Sequence, residues 1–375
     1  MGREAADLFR HGIRLRCGLI SQKRLTRVSY SAGRDLSSPN SRDQSTPDEP
    51  RLRRRARLDI CALESPQEGG AQCAPMTCDS HRTGLAANHS PALERLRASG
   101  SLGFNVVSKV SDWNSLNDVR RLSCAASPPL LLHLTLVLGS PTPVNRALPI
   151  WHDLRELVPL TRTPYLSAHI GFNCEVGYAP DGTFIFGRRI SEDAIIENMK
   201  RNADILRDTF GLDLILENQT CVYGGSYVPL YMEGCASPGF LNRALEATGC
   251  RLLLDLAHAR VNAAYLNVPL NEYLGALPVE TAREIHLSGC RVVKNDLLSD
   301  EHLELEAADY GLVSQVLRRA TPDYLTLEYA RDESRLRDQL TRLATLIAQV
   351  AVTPASPTRP PTPPIAARRL RSHKR

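Results

Sequence analysis

The sequence lacks any apolar run long enough to cross a membrane. A membrane-spanning helix needs about 20 consecutive apolar residues, and no stretch of the 375-residue chain reaches that length. Hydrophobic residues make up 42% of the chain and charged residues 23%, a balance typical of soluble globular proteins. These figures predict a soluble protein, and we expect it to be cytoplasmic.

The sequence also lacks closely spaced cysteine pairs. Its ten cysteines are scattered, and no Cys-x-x-Cys motif occurs among them. In a long chain without a clear secretory signal, scattered cysteines indicate reduced intracellular thiols rather than a disulfide framework. The same scatter argues against an iron–sulfur cluster.

Acidic residues are absent from the last part of the chain, and the net charge of +5 is unevenly spread. Residues 1–60 carry 14 Lys and Arg against 7 Asp and Glu, and residues 353–375 carry 6 against none, which leaves the middle at −8. An acidic middle suits cation binding better than nucleic-acid binding. We therefore expect no nucleic-acid partner.

The two ends of the chain lack sustained hydrophobic periodicity. Residues 1–80 are rich in Ser, Pro, Asp and Arg, and such a composition buries too little apolar surface to offset the entropy of ordering. We predict a disordered basic extension there, and an extended, solvated tail over the Pro- and Arg-rich residues 351–375. The catalytic domain is therefore predicted over residues 81–350.

Between those ends, short apolar runs alternate with longer stretches of helical character. The runs predict strands at 83–87, 103–108, 129–137, 164–171, 212–217, 251–257, 282–287 and 323–328. The other stretches predict helices at 91–99, 114–122, 147–158, 192–210, 237–249, 271–276, 309–319 and 333–350. Eight such pairs predict an α/β fold, a (β/α)8 TIM-type barrel. An open doubly wound sheet is disfavoured, because the first turn, AANHSPAL, is not the glycine-rich phosphate turn that such a sheet normally carries.

Six of the predicted strands end in residue types that bind metals. They are His133, His169, Glu217 with Asn218, Asp255 with His258, His286, and Glu328. Taken singly, each histidine is more often a satisfied core residue, His258 could be a loop histidine, and Glu328 could pair with Arg331. Taken together they indicate a metal centre, because buried imidazoles and carboxylates are costly unless paired or bound to a cation. A parallel barrel brings all its strand C-termini to one face.

Three further candidates follow other predicted strands. His89 comes directly after the first strand, and Asp300 and His302 lie in the segment SDEHLE after the seventh, which is predicted to be a loop. Residues two apart in an extended loop can point to the same side, whereas Glu301 between them is expected to be solvated. Mixed His, Asp and Glu ligation is typical of iron, manganese or zinc.

The core resembles the multinuclear non-haem iron-dependent oxidases, the family of the methanobactin-maturing oxidase. The resemblance spans residues 83–347 and is carried by LLLHLTLVLGS, SAHIGF, LILENQTCVYG, RLLLDLAHARVNA, EIHLSG, DEH and LTLEY. It implies a TIM-type barrel with two or three irons. The ligands it implies are His89, His133, His169, Glu217, Asp255, His286, Asp300, His302 and Glu328, with Asn218 and His258 at or beside the metals. Glu217, Asp255 and Asp300 are also expected to take part in catalysis.

The resemblance implies an oxidase that uses dioxygen to modify cysteine residues of a ribosomally made precursor peptide. It also implies a partner protein, or a recognition domain, that binds the leader part of the peptide. The chain departs from the family after the second strand, where Lys109 and Asp112 stand in place of a glutamate and an asparagine. Lys109 or Arg260 is predicted to orient the substrate.

Other functions remain open for a metal-binding barrel. A single-metal isomerase or epimerase of a sugar or sugar phosphate would act without oxygen. Related trinuclear-zinc endonucleases use a similar ligand set, but the acidic middle of this chain argues against DNA. A barrel that has lost catalysis and binds a partner through its tail is disfavoured by the nearly complete ligand set.

Overall fold

The computed structural model describes most of the region predicted to form the barrel. The described residues are 14–15, 83–111, 116–125, 129–141, 149–171, 173–178, 184–220, 222–223, 226–227, 234–293 and 297–352. The two segments predicted to be disordered, 1–80 and 351–375, lie outside the described residues, except for 14–15 and 351–352. None of the described helices combines the length and hydropathy that a membrane crossing requires.

Eight strands close into a parallel barrel, which confirms the predicted fold class. In chain order they are β1 Gly84–Asn88, β2 Val106–Ser111, β3 Leu131–Val137, β4 Leu166–His169, β5 Leu214–Glu217, β6 Arg251–Asp255, β7 Ala282–Leu287 and β8 Tyr324–Leu327. Each strand pairs in parallel with the next, and β8 pairs with β1, where Tyr324 lies opposite Gly84. The C-terminal ends of all eight strands consequently meet at one rim.

Nine α-helices occur among the described residues. They are α1 Pro91–Ala98, α2 Leu116–Ala125, α3 Pro149–Thr161, α4 Glu192–Phe210, α5 Pro238–Thr248, α6 Leu256–Tyr265, α7 Leu270–Gly275, α8 Ala307–Leu317 and α9 Glu333–Val352. Helix α4 has its predicted bounds because both ends are capped. The hydroxyl of Ser191 accepts a hydrogen bond from the Ala194 N–H at 3.2 Å, and Gly211 ends the helix with a left-handed φ of 66°.

Helix α6 is an element that the sequence pattern does not predict. Strand β6 ends at Asp255, two residues before its predicted end at 257, and α6 follows at once. Asp255 Oδ1 accepts a hydrogen bond from the His258 N–H at 2.7 Å and so caps the first turn. The helix shows no amphipathic stripe because it is buried on most of its faces. His258 is thus held on a buried helix, so the alternative that it is a loop histidine is wrong.

An antiparallel hairpin follows β7 where a loop is predicted. Its strands are Gly289–Val292 and Leu298–Leu303, and the second strand carries Asp300 and His302. A Cβ at Gly289 would lie 2.3 Å from the Glu304 carbonyl oxygen, so only glycine permits this close approach. The register shifts beside Gly289, and His302 adopts a left-handed φ of 47°. A bulge of this kind re-aims a side chain, here that of His302.

Other short antiparallel strands follow β4 and β5. After β4, Cys174–Tyr178 pairs with Phe184–Arg189, which also pairs with Arg14–Leu15. After β5, Val222–Tyr223 pairs with Ser226–Tyr227. Because these strands follow the C-terminal ends of barrel strands, they belong to the same face of the barrel as the rim.

Apolar side chains close the lower part of the barrel interior. One buried cluster, here called the floor, contains Ala86, Val107, Leu131, Tyr165, Ile215 and Leu253. Side chains on a strand alternate between its two faces, so the residues two positions further along point into the same interior, one step nearer the rim. Those positions include His133, Glu217 and Asp255. The fold therefore places polar groups on a dry floor.

Candidate metal centre

The described residues contain four overlapping sets of side chains that could hold a metal ion. The sets are His133, His169 and Glu217; Glu217, Asp255 and His258; Asp255, His286 and Glu328; and Asp300, His302 and Glu328. Within each set the ligand atoms lie within 4.8 Å of one another. Because Glu217, Asp255 and Glu328 each belong to two sets, the four sets form one continuous centre, here called the rim centre.

Two of the residues predicted as ligands lie outside these sets. His89 Nε2 faces Glu94 Oε1 at 3.6 Å. The Asn218 amide holds the backbone of Asp255, since its Nδ2 donates to the Asp255 carbonyl at 2.9 Å and its Oδ1 accepts from the Asp255 N–H at 2.7 Å. The other nine predicted ligands all lie in the rim centre. That they bind metal stays a prediction.

Glu217 lies in the middle of the rim centre, at the end of β5, and its side chain is only 3% exposed. His133 Nε2 and His169 Nε2 lie 3.3 and 3.4 Å from its Oε2, and His258 Nδ1 lies 3.2 Å from its Oε1. Burial raises the pKa of Glu217, but the surrounding imidazoles, His169 foremost, outweigh it and hold the pKa well below its usual range. Glu217 is therefore an ionised carboxylate surrounded by imidazoles.

The imidazoles of His133 and His169 are each anchored by the ring nitrogen that faces away from Glu217. His133 Nδ1 lies 2.8 Å from the Ser167 hydroxyl, and His169 Nδ1 donates to the Leu134 carbonyl at 3.2 Å. A carbonyl only accepts, so the proton of neutral His169 is fixed on Nδ1 and the lone pair on Nε2. Metal-binding histidines are held in this way.

His258 and His286 are anchored similarly. His258 Nδ1 donates to the Asn218 carbonyl at 2.9 Å, which leaves its Nε2 facing Asp300 Oδ2 at 3.6 Å. His286 Nε2 lies 3.1 Å from Glu284 Oε1, which leaves its Nδ1 facing the rim centre. His286 thus presents one nitrogen to the neighbouring carboxylates and is held by the other. In His258 the nitrogen that donates to the Asn218 carbonyl also faces Glu217, and the other nitrogen faces Asp300.

Glu284 is a functional residue that the sequence pattern does not predict. It lies on β7 two residues before His286, is 1% exposed and points into the barrel. Its Oε1 also accepts from Thr326 Oγ1 at 2.5 Å, and its Oε2 accepts from the Tyr165 hydroxyl at 3.0 Å. Burial raises the pKa of Glu284, but these partners, His286 foremost, hold it below its usual value. The one signal in the sequence is the two-residue spacing between Glu284 and His286, which puts both side chains on the same face of β7.

Three buried atoms of the rim centre have no hydrogen-bond partner in the part of the chain that the structure describes. They are Glu217 Oε2, Asp255 Oδ2 and His286 Nδ1. An unsatisfied buried polar atom costs about 1–3 kcal/mol, and more when it is charged. Burial also raises the pKa of Asp255 to about 7. Cations bound in the sets to which these residues belong would give the three atoms partners, and this mixture of imidazole and carboxylate donors fits iron, manganese or zinc.

One end of the rim centre opens to solvent. The His302 side chain is 51% exposed, whereas that of Asp300 is 6% exposed. His302 Nε2 lies 3.2 Å from Asp300 Oδ2 and 3.5 Å from Glu328 Oε2. Burial of its ring lowers the pKa of His302, but Asp300 and Glu328 outweigh this and raise it to about 9. The Ser288 hydroxyl donates to Asp300 and fixes this open end.

A buried ammonium also belongs to the rim centre. Lys109, on β2, donates to Glu328 Oε1. Arg331 instead donates to the Glu301 carbonyl at 2.7 Å, so the alternative of a Glu328–Arg331 pair is wrong. Arg260, the other cation predicted to orient a substrate, forms an ion pair with Asp309.

Comparison with known protein families and proteins gives consistent relatives. The model of a family described as RiPP precursor modification enzyme MbnB/TglH/ChrH matches residues 110–350, more than half of the chain. A UPF0276 protein of Chromobacterium violaceum is 29% identical over 231 residues, which cover 60% of this chain and 76% of that protein. One from Shewanella sediminis is 26% identical over 46% of this chain and 59% of its own length. One from Caulobacter sp. is 33% identical over 26% of this chain and 33% of its own length. The chain thus spans under two thirds of the last two relatives.

Solved structures give weaker likenesses. The 3-keto-D-glucoside 4-epimerase YcjR from E. coli has a TM-score of 0.48 and 11% identity, over 71% of this chain and 100% of that chain. A xylose isomerase domain protein from Planctomyces limnophilus has a TM-score of 0.46 and 13% identity, over 72% and 98%. The barrel is established by its own strand order, to which these scores add nothing.

Proposed function

The chain belongs to the RiPP precursor modification enzyme family MbnB/TglH/ChrH, and from this we propose that it is an iron-dependent oxidase of cysteine residues in a ribosomally made precursor peptide, with dioxygen as oxidant. The observation that carries the proposal is the rim centre, in which nine ligand-type residues form four overlapping sets. Several sets that share carboxylates suit a multinuclear centre, because one carboxylate can bridge neighbouring ions.

The residues of the rim centre would hold two or three irons. When bound, iron would supply redox chemistry toward dioxygen and would favour the thiolate form of a substrate cysteine. The protein's own contribution is orientation. Ser167 and the Leu134 carbonyl hold His133 and His169, and Glu284 holds His286, so the donor nitrogens are in place before a cation arrives.

The peptide would enter at the end of the rim centre that carries His302. That side chain is half exposed, whereas those of Glu217, Asp255 and His286 are buried. The dry floor below the rim excludes water from the opposite side. A cysteine presented at His302 would therefore lie beside Asp300 and Glu328, which His302 contacts.

The precursor peptide is proposed to arrive with the help of a partner protein that binds its leader part. The enzyme is proposed to act in the cytoplasm, where ribosomal peptides are made. Both statements follow from the family and from the expectation of reduced thiols, which five free cysteines, Cys124, Cys174, Cys235, Cys250 and Cys290, support.

The experiment is single-turnover oxidation by anaerobically purified, iron-loaded protein. The substrate is the peptide encoded by a short cysteine-rich reading frame beside the gene, with and without its neighbouring partner, and products are read by mass spectrometry. We expect a mass change on cysteine only when dioxygen is admitted, and none with Glu217→Gln. Modification without dioxygen, or sugar isomerisation on a single metal per chain, would contradict the proposal.

A further inference from the structure

Lys109 is the one buried Lys or Arg in the part of the chain that the structure describes. Its ammonium lies inside the barrel, 7% exposed, and donates to Glu328. A buried lysine normally loses its charge unless a carboxylate holds it. The carboxylate of Glu328 is in hydrogen-bond contact with the Lys109 ammonium, which therefore remains a fixed positive charge.

The ammonium occupies one particular oxygen of Glu328. Lys109 donates to Oε1, the oxygen that lies 3.5 Å from His286 Nδ1. The other oxygen, Oε2, lies 3.5 Å from His302 Nε2. Lys109 thus contacts the Glu328 oxygen that faces His286, in the set with Asp255. The Glu328 oxygen that faces His302 is not the one that Lys109 contacts.

The charges of the centre agree with this placement. Five carboxylates lie at or directly beneath the rim centre, and each is buried or nearly so: Glu217, Asp255, Glu284, Asp300 and Glu328. When the imidazoles are neutral, as metal binding requires, the five carboxylates and one ammonium leave four negative charges, which two divalent cations would balance. A third divalent cation would leave net positive charge in a dry interior, where an unbalanced charge is costly.

We propose that the ammonium of Lys109 is a built-in cation that takes the place of a metal ion between His286 and Glu328, so that the centre holds two metal ions. This inference rests on the proposed function, since it counts the metals of the same centre. It also gives a physical role to the position at which the chain departs from the family it resembles.

The test counts bound metal in the full chain. Metal-free protein is loaded anaerobically with Co²⁺, freed of excess by gel filtration and assayed for cobalt and protein, with circular dichroism as the check on folding. We expect two equivalents in the native chain and three in Lys109→Met. The matched control is Lys200→Met, which removes an exposed lysine paired with Asp204 at 3.1 Å and should keep two. The double variant Lys109→Met, His286→Gln should also return to two, because His286 belongs only to the set with Asp255 and Glu328.

Each outcome decides the proposal. A gain of one equivalent in Lys109→Met that disappears with His286→Gln supports it, and equal counts in native and Lys109→Met overturn it while leaving the proposed function intact. A native chain that holds three equivalents also overturns it. If Lys109→Met does not fold, the metal count of the native chain alone tests the proposal. A native chain that binds no metal overturns both the inference and the proposed function.

Discussion

Glu284→Gln offers a sharp test of the rim centre, because it changes no predicted ligand. The carboxylate of Glu284 lies beneath His286 and accepts from three side chains, those of His286, Thr326 and Tyr165. A glutamine of the same size keeps one accepting oxygen but replaces the other with an N–H donor. If that donor faces His286 Nε2, the ring proton moves to Nδ1, the nitrogen that should bind metal.

The expected loss can be bounded from known effects. Removing the partner that orients a metal-binding histidine typically lowers metal affinity about 10–100-fold, which corresponds to about 1.4–2.8 kcal/mol. Glu284→Ala should cost more, because it leaves Tyr165 and Thr326 hydroxyls unsatisfied in the barrel as well, at about 1–3 kcal/mol each. The conservative variant therefore separates orientation of His286 from stability of the floor.

The assay is the apparent Kd of Lys109→Met for Co²⁺, because the metal ion that this variant is expected to gain lies beside His286. It is measured in anaerobic competition with a chelator, with and without Glu284→Gln, alongside thermal unfolding of the metal-free protein. The control is Gln339→Leu, which removes hydrogen bonds to the backbone of Leu305 and Arg335, neither of which belongs to the rim centre. It should lower Tm and leave the Kd unchanged. If neither Glu284→Gln nor Glu284→Ala weakens the binding of that ion in Lys109→Met while the protein folds normally, the orienting role of Glu284 is refuted.

Three other changes have defined outcomes. Asp255→Asn keeps a side chain that caps α6 but removes a shared anionic ligand. The Tm of the metal-free protein should therefore stay within a few degrees, while the metal content measured by elemental analysis falls. Unchanged metal content would exclude Asp255 as a ligand. Raising the pH from 6 to 8 should tighten metal binding, because His302, whose pKa is raised to about 9, must lose its proton before its nitrogen can bind. Calorimetry in two buffers should show that metal binding releases protons, and an affinity that does not depend on pH would contradict this. Gly289→Ala should destabilise the chain by about 1–3 kcal/mol, because its Cβ would meet the Glu304 carbonyl; a denaturant midpoint equal to the native value would refute the close approach.

The barrel was predictable because its strands are continuous apolar runs between capped helices. Helix α4 matches its predicted bounds because Ser191 and Gly211 are local signals. Helix α6 was not predictable from its pattern, since a helix buried on most faces shows no 3.6-residue stripe. The prediction for β6 is two residues too long, whereas β7 has its predicted bounds, so the error stays local.

The ligand residues were predictable from their positions at strand ends, but their roles were not. Asn218 has the right type and position, yet its amide is used to hold the backbone of Asp255. Glu284 lies two residues from a candidate ligand, but its role could not be predicted from the sequence, because its partner Tyr165 is 119 residues away in the chain. Which nitrogen or oxygen faces the centre depends on contacts between strands that one sequence does not reveal.

The two-residue period of the strands orders the barrel interior into tiers. On β4 the inward positions are Tyr165 in the floor, Ser167 as the anchor of His133, and His169 as a candidate ligand. On β7 the anchor is Glu284 and the candidate ligand is His286. A strand that shifted by one residue would turn all of these groups out of the barrel at once. The apolar floor therefore does more than stabilise the fold: by fixing strand register, it also fixes which atoms meet at the rim.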